Sequence, residues 1–306
     1  MCKFKSIIAI VSTAIPFMGF FSSTLAEEGS GGQAGAFLRM GVGARAVAMG
    51  GAFTAIADDA TATYWNPAGL GQLKSHQLGA MYSLMSLDRT HNFVSYAHPI
   101  GSAGTFGISW INFGVSKIDG RDSYGNPTGD FSNSEMAFML SYGKSFANTF
   151  YIGGSAKYLV HSLADNKASG FGFDVGALLN ISDVISIGAV IQDMGSSITW
   201  DTFSEHEDTF PTQIRLGAAV SPKLVPIKLA GEIEKNSEQE AKYHSGVEYW
   251  PLTMLAIRGG YSSKGLTAGG SVRVPAGMLK LQADYAFATD KLDEEAVHKV
   301  SLMIEF

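Results

Sequence analysis

Two adjacent carboxylates, Asp58 and Asp59, are the residues best suited to chemistry near the start of the sequence. A pair of acids can hold a metal ion or share acid–base catalysis, but both tasks require carboxyl groups that converge on one point. Neighbouring residues rarely converge, whereas Asp readily bonds nearby backbone N–H groups or pairs with a basic side chain. We therefore predict a cap or salt bridges for Asp58 and Asp59, and we predict no metal and no other cofactor.

The histidines suggest no catalytic arrangement. They are scattered along the chain, and although His161 adjoins Ser162, two neighbours on a strand point to opposite faces. This does not meet the geometry of a phospholipase or protease, the main enzymatic alternative. Gly41-Val42-Gly43 superficially resembles a dinucleotide-binding loop but follows no predicted strand. The sequence predicts a protein that is not an enzyme.

Residues 1–26 have the pattern of a secretory signal. Lys3 and Lys5 precede an uncharged apolar segment, and small residues then lead to Ala26. An uncleaved anchor helix is the alternative, but the apolar run is short for a membrane span. We predict export with cleavage after Ala26. Cys2, the single cysteine, lies in the signal, so the mature chain is predicted to lack disulfides and thiol chemistry.

Charge and hydropathy restrict the class of protein. The predicted signal carries two lysines and no acid, so its removal lowers the net charge from −6 to −8. A negatively charged protein is a poor partner for nucleic acid, which favours a basic face. The sequence has 36 glycines and only 16% charged residues. Its mean hydropathy is +0.11, yet no later segment approaches the ~20 apolar residues of a membrane helix. An apolar average without an apolar run is typical of a transmembrane β-barrel.

Polar and apolar residues alternate from Ser75 onward. The segments 227–234, 279–287 and 299–306 each have period two with one apolar face, which predicts strands between two different media. About fourteen such segments fit into the chain, an even number as in bacterial barrels. A soluble β-sandwich would give the same alternation. We predict an all-β fold, a transmembrane antiparallel β-barrel of about 14 strands over residues 75–306.

Connection lengths favour the barrel over the sandwich. The long polar connections are predicted at Asp119–Asn133, Gly195–Phe210 and Thr289–Glu294, and all fall at odd-numbered junctions. Even-numbered junctions, such as 147–148 and 182–183, are brief. Long loops on one side and tight turns on the other are typical of outer-membrane barrels.

Aromatic residues near strand ends indicate the environment. The last strand ends in Phe306, as bacterial outer-membrane barrels commonly do, and we predict that the barrel-assembly machinery recognises this strand. Tyr243, Tyr249 and Trp250 are predicted to lie at the membrane interfaces. The predicted location is the outer membrane of a Gram-negative-type bacterium, with outer-membrane lipid as a partner.

Residues 27–74 precede the first strand and are rich in Gly and Ala. Fourteen strands enclose a lumen too wide for their own side chains to fill, since about eight strands is the size at which they suffice. We predict that residues 27–74 form a small N-terminal hatch inside the barrel. Asn66 is predicted to cap a short helical turn that begins at Pro67 and ends at Gly69.

Charges of both signs are predicted to hold the hatch to the wall. The hatch supplies Arg39 and Arg45 besides the two aspartates, and the late strands supply inward charges that include Arg258 and Arg273. These wall charges line a polar route or form a cross-strand network that braces the barrel and docks the hatch, and we favour the network. Replacing Arg258 or Arg273 by Leu should then loosen the hatch.

The segment GARAVAMGGAFTAIADDATATYWNPAGL resembles the N-terminal signature of FadL-type outer-membrane proteins, whose hatch ends in an Asn-Pro-Ala motif. The patterns G-A-R-x-x-x-M-G-G-A and W-N-P-A-G-L are more similar to the PorV/PorQ-like branch of that superfamily. Residues 34–72 carry the resemblance. Only the hatch motif, Asn66, Pro67 and Ala68, transfers position by position, and its implied role is structural.

The resemblance implies two functions. PorV-like proteins serve type IX secretion, so secreted cargo or secretion-complex proteins are implied partners, and this is the leading expectation. The alternative is a FadL-like passive transporter of long-chain fatty acids or other hydrophobic compounds. Such transporters release their substrate through an opening in the wall, and a kinked strand at Gly153-Gly154 or Gly269-Gly270 would provide one.

Overall fold

The computed structural model describes residues 33–289 and 296–306. The predicted signal, the first residues of the predicted hatch and most of the predicted Thr289–Glu294 loop lie outside these ranges. Among the described residues, none of the helices is long and apolar enough to cross a membrane.

Fifteen strands form one antiparallel sheet that closes on itself. Their bounds are β1 Gln77–Leu84, β2 Arg89–Pro99, β3 Thr105–Arg121, β4 Pro127–Phe146, β5 Phe150–Leu163, β6 Asn166–Asn180, β7 Ile185–Trp200, β8 Glu207–Thr209, β9 Gln213–Val220, β10 Ile227–Asn236, β11 Lys242–Leu252, β12 Leu255–Ser262, β13 Gly265–Ala276, β14 Leu279–Thr289 and β15 Ala296–Glu305. β7 pairs directly with β9, and β15 pairs with β1, while the three-residue β8 pairs only with β7. The wall is therefore a closed barrel of 14 strands, which confirms the predicted fold class.

Side chains alternate between the lumen and the outer surface. In β1 the inward Gln77, Met81 and Ser83 are buried, whereas the outward Leu78 and Tyr82 are exposed. The same arrangement on the other strands covers the outer surface with exposed Leu, Ile, Val, Phe and Tyr side chains. A continuous apolar surface of this size is unfavourable in water and suits the hydrocarbon of a membrane.

The barrel wall is taller at β3 and β4 than at β1. We call the rim at Gln77 and Glu305 the lower rim and the opposite one the upper rim. β3 and β4 contain 17 and 20 residues against 8 in β1. The predicted Asp119–Asn133 loop is in fact the upper part of this tall hairpin, joined by a turn at 122–126. Above the apolar band both faces of a strand meet polar surroundings, so apolar alternation, the signal used for strands, is missing there.

The wall departs from regular pairing in β7. Between Phe171 and Val175 of β6 the register slips twice, because β7 inserts extra residues around Asp193, which has φ 58°. The predicted kinks are not found: Gly153-Gly154 and Gly269-Gly270 keep regular register with both neighbouring strands. The two bulges bend β7 instead.

The segment 33–74, called the hatch below, packs inside the barrel. It contains two short α-helices, Ala44–Ala48 and Ala62–Trp65, and two 3₁₀ segments, Ala36–Arg39 and Pro67–Gln72. A further 3₁₀ turn, Gly101–Ala103, joins β2 to β3.

Glycines allow the hatch backbone to approach the wall. A Cβ on Gly153 would lie 2.4 Å from the carbonyl carbon of Pro67, and one on Gly246 would lie 2.4 Å from the Met49 oxygen. Gly50, with φ 68°, approaches the carbonyl oxygens of Ser245 and Tyr261 in the same way. Gly153 and Gly246 are therefore glycine because the hatch occupies the space of a side chain, and Gly50 is glycine because the wall occupies that space.

A charge on the outer surface should prevent insertion. Leu302 lies in the middle of β15, faces outward and is paired with Ala80 and Ala283. We expect Leu302→Arg to cost ~2–4 kcal/mol near the bilayer midplane and to lower the amount of heat-modifiable barrel in the membrane fraction. Leu302→Phe, which keeps the surface apolar, serves as the control. Equal membrane yields of the two variants would contradict the orientation of β15.

Candidate functional site between the hatch and the wall

The Asn66-Pro67-Ala68 motif fastens the lower end of the hatch. Asn66 is extended, and its side-chain oxygen accepts a hydrogen bond from the Ala68 amide at 3.1 Å. Its amide nitrogen donates to the carbonyl of Thr54 at 2.9 Å and to that of Ala177 in β6 at 3.1 Å. Pro67 begins the 3₁₀ segment, which continues past Gly69 to Gln72. One side chain thus caps a turn and ties it to the wall.

Arg45 is the centre of the ionic contacts of the hatch. Its guanidinium contacts Asp58 at 2.5 Å and Asp59 at 3.1 Å within the hatch. It also donates twice to Glu248 of β11, at 2.8 and 3.0 Å. Lys228 of β10 adds a second wall contact, 2.8 Å from Asp58. Bidentate pairing of this kind fixes orientation as well as charge.

The pKa values of the two aspartates shift in opposite directions. Burial would raise the pKa of Asp58, but the charges of Arg45 and Lys228 outweigh burial and lower its pKa below the ordinary value. Burial raises the pKa of Asp59, and the neighbouring Asp58 adds to that rise although Arg45 opposes it. The Asp59 side chain also accepts a hydrogen bond from the Thr61 amide at 2.9 Å, just before the helix that begins at Ala62.

The network continues along the wall away from the hatch. Arg258 donates to Glu248 at 2.7 Å and contacts Asp284 at 3.2 Å. Within the described part of the chain Arg273 contacts no carboxylate: it donates to Gln282 at 2.7 and 2.9 Å and lies 4.2 Å from the centre of the Trp250 ring. Trp250 therefore turns inward over Arg273, and the predicted interfacial position of Trp250 is wrong.

A second pair of charged wall residues bonds the middle of the hatch. Glu232 of β10 accepts hydrogen bonds from the amides of Phe53 and Thr54, at 3.1 and 2.9 Å. Arg215 of β9 pairs with Glu232 and donates to the carbonyl of Gly51 at 2.8 Å. The Arg215 guanidinium also lies 4.7 Å from the centre of the Trp65 ring. The wall thereby adds hydrogen-bond partners for buried backbone groups of the hatch.

Arg39 lies apart from this network. Among the residues that the structure describes, its hydrogen bonds are long and stay within the hatch, to Gln33 at 3.4 Å and to the Ala34 carbonyl at 3.3 Å. The structure therefore does not bring Arg39 into an ion pair with the wall, unlike Arg45.

The opposite half of the lumen packs apolar side chains against the hatch. Hatch residues Phe37, Met49, Phe53 and Trp65 belong to one buried cluster with inward side chains of the wall. The wall members on β1–β7 are Met81, Phe93, Ile111, Ala137, Met139, Leu159, Ala168 and Ile198. Buried polar residues lie among them, and the Gln192 amide of β7 donates to the Tyr64 carbonyl at 2.6 Å. By contrast, the charged wall residues that bond the hatch, Arg215, Lys228, Glu232, Glu248 and Lys299, lie on β9–β15. The hatch is held by charged wall groups on one side and by apolar packing with neutral hydrogen bonds on the other.

One buried charge cluster lies within the apolar half. Lys157 of β5 contacts Asp174 of β6 at 2.7 Å and Asp193 of β7 at 2.6 Å, and all three are buried. The Asp193 amide donates to Asp174 at 2.9 Å, so the cluster pins the β7 bulge to β6. These residues bond one another and not the hatch.

The space left beside the hatch is small. A cavity of about 140 Å³ adjoins Arg45, Asp58 and Asp59 and is also lined by Arg273 and Lys280. Within the described ranges, no set of three His, Cys, Asp or Glu residues is placed to hold a metal ion. The charges act on each other and on the hatch backbone.

Sequence reasoning did not single out Arg215 or Lys157. Alternation shows that both face inward, but it does not show which hatch or wall group each one meets. Lys157 lies between Ser155 and Leu159 on the inward face of β5. A positive charge among small and apolar inward residues indicates a buried ion cluster, because a buried charge needs a partner.

Comparisons with known proteins show the fold. A family model described as "Uncharacterised protein family (UPF0164)" matches residues 5–124, less than half of the chain. No curated protein matches significantly. At the identities below, the structural likeness concerns the fold alone.

Three solved structures are similar over most of their length. The toluene transporter TbuX of Ralstonia pickettii is 14% identical, with 87% of this chain and 97% of that chain covered and a TM-score of 0.59. The toluene transporter TodX of Pseudomonas putida is 13% identical, with the same coverage and a TM-score of 0.61. A FadL homologue of Pseudomonas aeruginosa is 11% identical, with 84% and 96% covered and a TM-score of 0.55. The chain has the FadL-like barrel fold, and nothing in these comparisons distinguishes the PorV/PorQ-like branch.

Removing Arg258 should loosen the hatch. In Arg258→Leu the buried Asp284 loses its ionic partner and Glu248 keeps only Arg45, a change that costs about 3–5 kcal/mol when a buried pair is broken. We expect more frequent conducting events in planar bilayers than for the unchanged protein. Arg273→Leu should have a smaller effect because Arg273 bonds only Gln282.

Lys280→Met is the matched control. Lys280 also faces the lumen side of the late strands, but its pair with Glu305 is exposed, and such pairs contribute about 0–1 kcal/mol. If Arg258→Leu conducts no more than Lys280→Met, the wall network does not hold the hatch.

Proposed function

We propose that the protein is a non-catalytic outer-membrane barrel that passes small hydrophobic compounds passively, with the hatch as its gate. The apolar outer surface and the closed 14-stranded wall support the membrane location, and the predicted signal at 1–26 is consistent with export. The FadL-like fold, shared with proteins described as toluene transporters, supports the kind of cargo.

The division of the lumen is the observation that carries the proposal. A compound that passes between the hatch and β9–β15 would have to separate buried ion pairs such as Arg45–Glu248. A nonpolar compound that passes along β1–β7 would replace contacts of Phe93, Ile111 and Leu159 with contacts of its own. The β1–β7 side is therefore the route of lower cost, because the charged wall residues that bond the hatch lie on the other side.

The hatch must move for this route to open. The polar cavity beside Arg45, Asp58 and Asp59 measures about 140 Å³, which is small for a ligand site.

A reversible crosslink between hatch and wall should stop transport. A Cβ on Gly217 of β9 would lie 3.5 Å from the Cβ of Ala55, within the range of a disulfide. We expect an Ala55→Cys, Gly217→Cys variant to take up radiolabelled fatty acid or toluene only when reduced. The assay uses a Gram-negative host that lacks its own fatty-acid transporter, because a plain lipid vesicle is itself permeable to such compounds.

The single variants Ala55→Cys and Gly217→Cys are the controls, since neither can form the crosslink. Recovery after reduction shows that the crosslinked barrel is folded. Uptake by the unchanged protein no greater than that of the empty host, or full uptake in the oxidised double variant, would overturn the proposed gate.

We also propose a second candidate, a component of type IX secretion, because one observation favours it. The remaining cavity is lined by charged residues, among them Asp59, Arg273 and Glu305, and this is unlike a reservoir for a hydrophobic compound. The resemblance of residues 34–72 to PorV/PorQ-like proteins points the same way. Purification of the barrel from its own outer membrane in mild detergent should then recover secretion-complex or cargo proteins in a fixed ratio. Recovery of the barrel with lipid alone would leave only the transport role.

A further inference from the structure

The outer surface carries a groove that the transport proposal does not use. It is an apolar depression of about 610 Å³ on the lipid-facing side of β1–β6. Five outward residues, Leu78, Tyr96, Ile108, Leu140 and Ala156, are cross-strand neighbours in a continuous row along it. Four strand spacings make this row about 19 Å long. The groove therefore crosses the strands and does not run between two of them.

A small residue forms the deepest part of the row. Ala156 lies beside Leu140, while Tyr158 and Phe171 rise on the adjacent row. Trp110 lines the same depression and is only half-buried although it faces outward. Large side chains around a single alanine give a depression that an extended hydrocarbon chain can enter.

The end of the groove at the lower rim is polar. The Tyr96 hydroxyl lies 3.1 Å from Nδ1 of His76 and 3.2 Å from Nδ1 of His98. The two imidazole rings are 4.7 Å apart, and the His76 ring stacks on Phe306. The exposed Lys74 lies two residues before His76. Hydrogen-bond donors are thus gathered at the level where an apolar outer surface gives way to the rim.

We infer that this groove binds one phospholipid of the leaflet that meets the lower rim. An acyl chain lies along the row from Leu78 to Ala156, and the phosphate lies against His76, His98 and Lys74. Charge complementarity supports the head group, because the donors of imidazole and ammonium groups match an anionic phosphate. The apolar lining and its length of about 19 Å suit an acyl chain. The inference depends on the membrane orientation of the wall and not on the transport proposal.

An extended peptide does not fit the same groove. The strands that line it are paired on both sides, so their backbone groups are already bonded. A peptide lying across them in hydrocarbon would leave its own N–H and C=O groups without partners, at a cost of several kcal/mol for each group in general. A lipid chain has no such groups.

The experiment is native mass spectrometry of the full chain, purified from outer membranes in mild detergent. We expect one phospholipid to stay bound per barrel. Ala156→Phe fills the groove and should abolish this retention. Ala283→Phe is the matched control, because Ala283 also faces outward in mid-strand but lies on β14, away from the groove. Both variants must show the same heat-modifiable mobility as the unchanged barrel.

A second measurement tests the head group. Delipidated barrel is titrated with phosphatidylglycerol and, separately, with diacylglycerol of the same chains, which has no phosphate. We expect phosphatidylglycerol to bind more tightly, and the His76→Gln, His98→Gln double variant to weaken it by roughly tenfold, as for the loss of one charge-assisted hydrogen bond. This variant leaves the groove unfilled, so it remains informative if Ala156→Phe fails to fold.

Three results would overturn the inference. Ala156→Phe that retains lipid as well as Ala283→Phe would show that the groove is not the site. Equal affinity for diacylglycerol and phosphatidylglycerol would show that the rim residues do not bind phosphate. A polypeptide held in stoichiometric ratio, and released by Ala156→Phe alone, would replace the lipid by a protein partner.

Discussion

A closed wall of 14 strands encloses more space than its own side chains can fill, and this constraint shapes the rest of the molecule. The hatch occupies that space, so its backbone is buried with only short helical segments of its own. The wall supplies further partners: Glu232 accepts from two successive hatch amides, and Lys299 donates to the carbonyl of Gly41 at 2.7 Å. Wall glycines provide the room for this close approach. The inner face of the barrel is thus specialised for one particular filling.

The charges that hold the hatch are better understood as devices for position than as a source of stability. Removing ions such as Arg45 and Glu248 from water is costly, and their attraction offsets this cost only with good geometry and further hydrogen bonds. The network meets that condition, since Arg45 bonds three carboxylates and Glu248 is shared with Arg258. Because these ion pairs form in one register only, they fix where the hatch sits, whereas the contacts on β1–β7 are apolar packing and neutral hydrogen bonds, which are individually weaker.

The inner and outer faces of the same strands serve different purposes. On their inner face, β1–β6 contact the hatch through apolar residues. On their outer face, the same strands form the groove that ends at His76, Tyr96 and His98. Ala156 illustrates the coupling, since its neighbours Ser155 and Lys157 face the lumen while it faces the membrane. A bound lipid on this side would stiffen the part of the wall where charge does not hold the hatch, which is where a passing compound would press outward.

The sequence by itself determined the class of fold, because lipid outside and a filled lumen inside act on every second residue and leave a local pattern. That pattern predicted the strand number, and the Gly- and Ala-rich start with its Asn66-Pro67 turn predicted a filling segment. Only the tertiary structure decided which charges meet. Arg45 and Glu248 are separated by 203 residues, and their contact depends on strand register and on the path of the hatch. Arg39 and Arg45 look equivalent in sequence, yet among the described residues Arg45 bonds the wall and Arg39 does not. Trp250 shares the inward face of β11 with Glu248, and the structure shows that it meets Arg273 there. The upper parts of β3 and β4 were not predicted as strands for a different reason. Above the membrane both faces of a strand meet water, so polar and apolar residues do not alternate there.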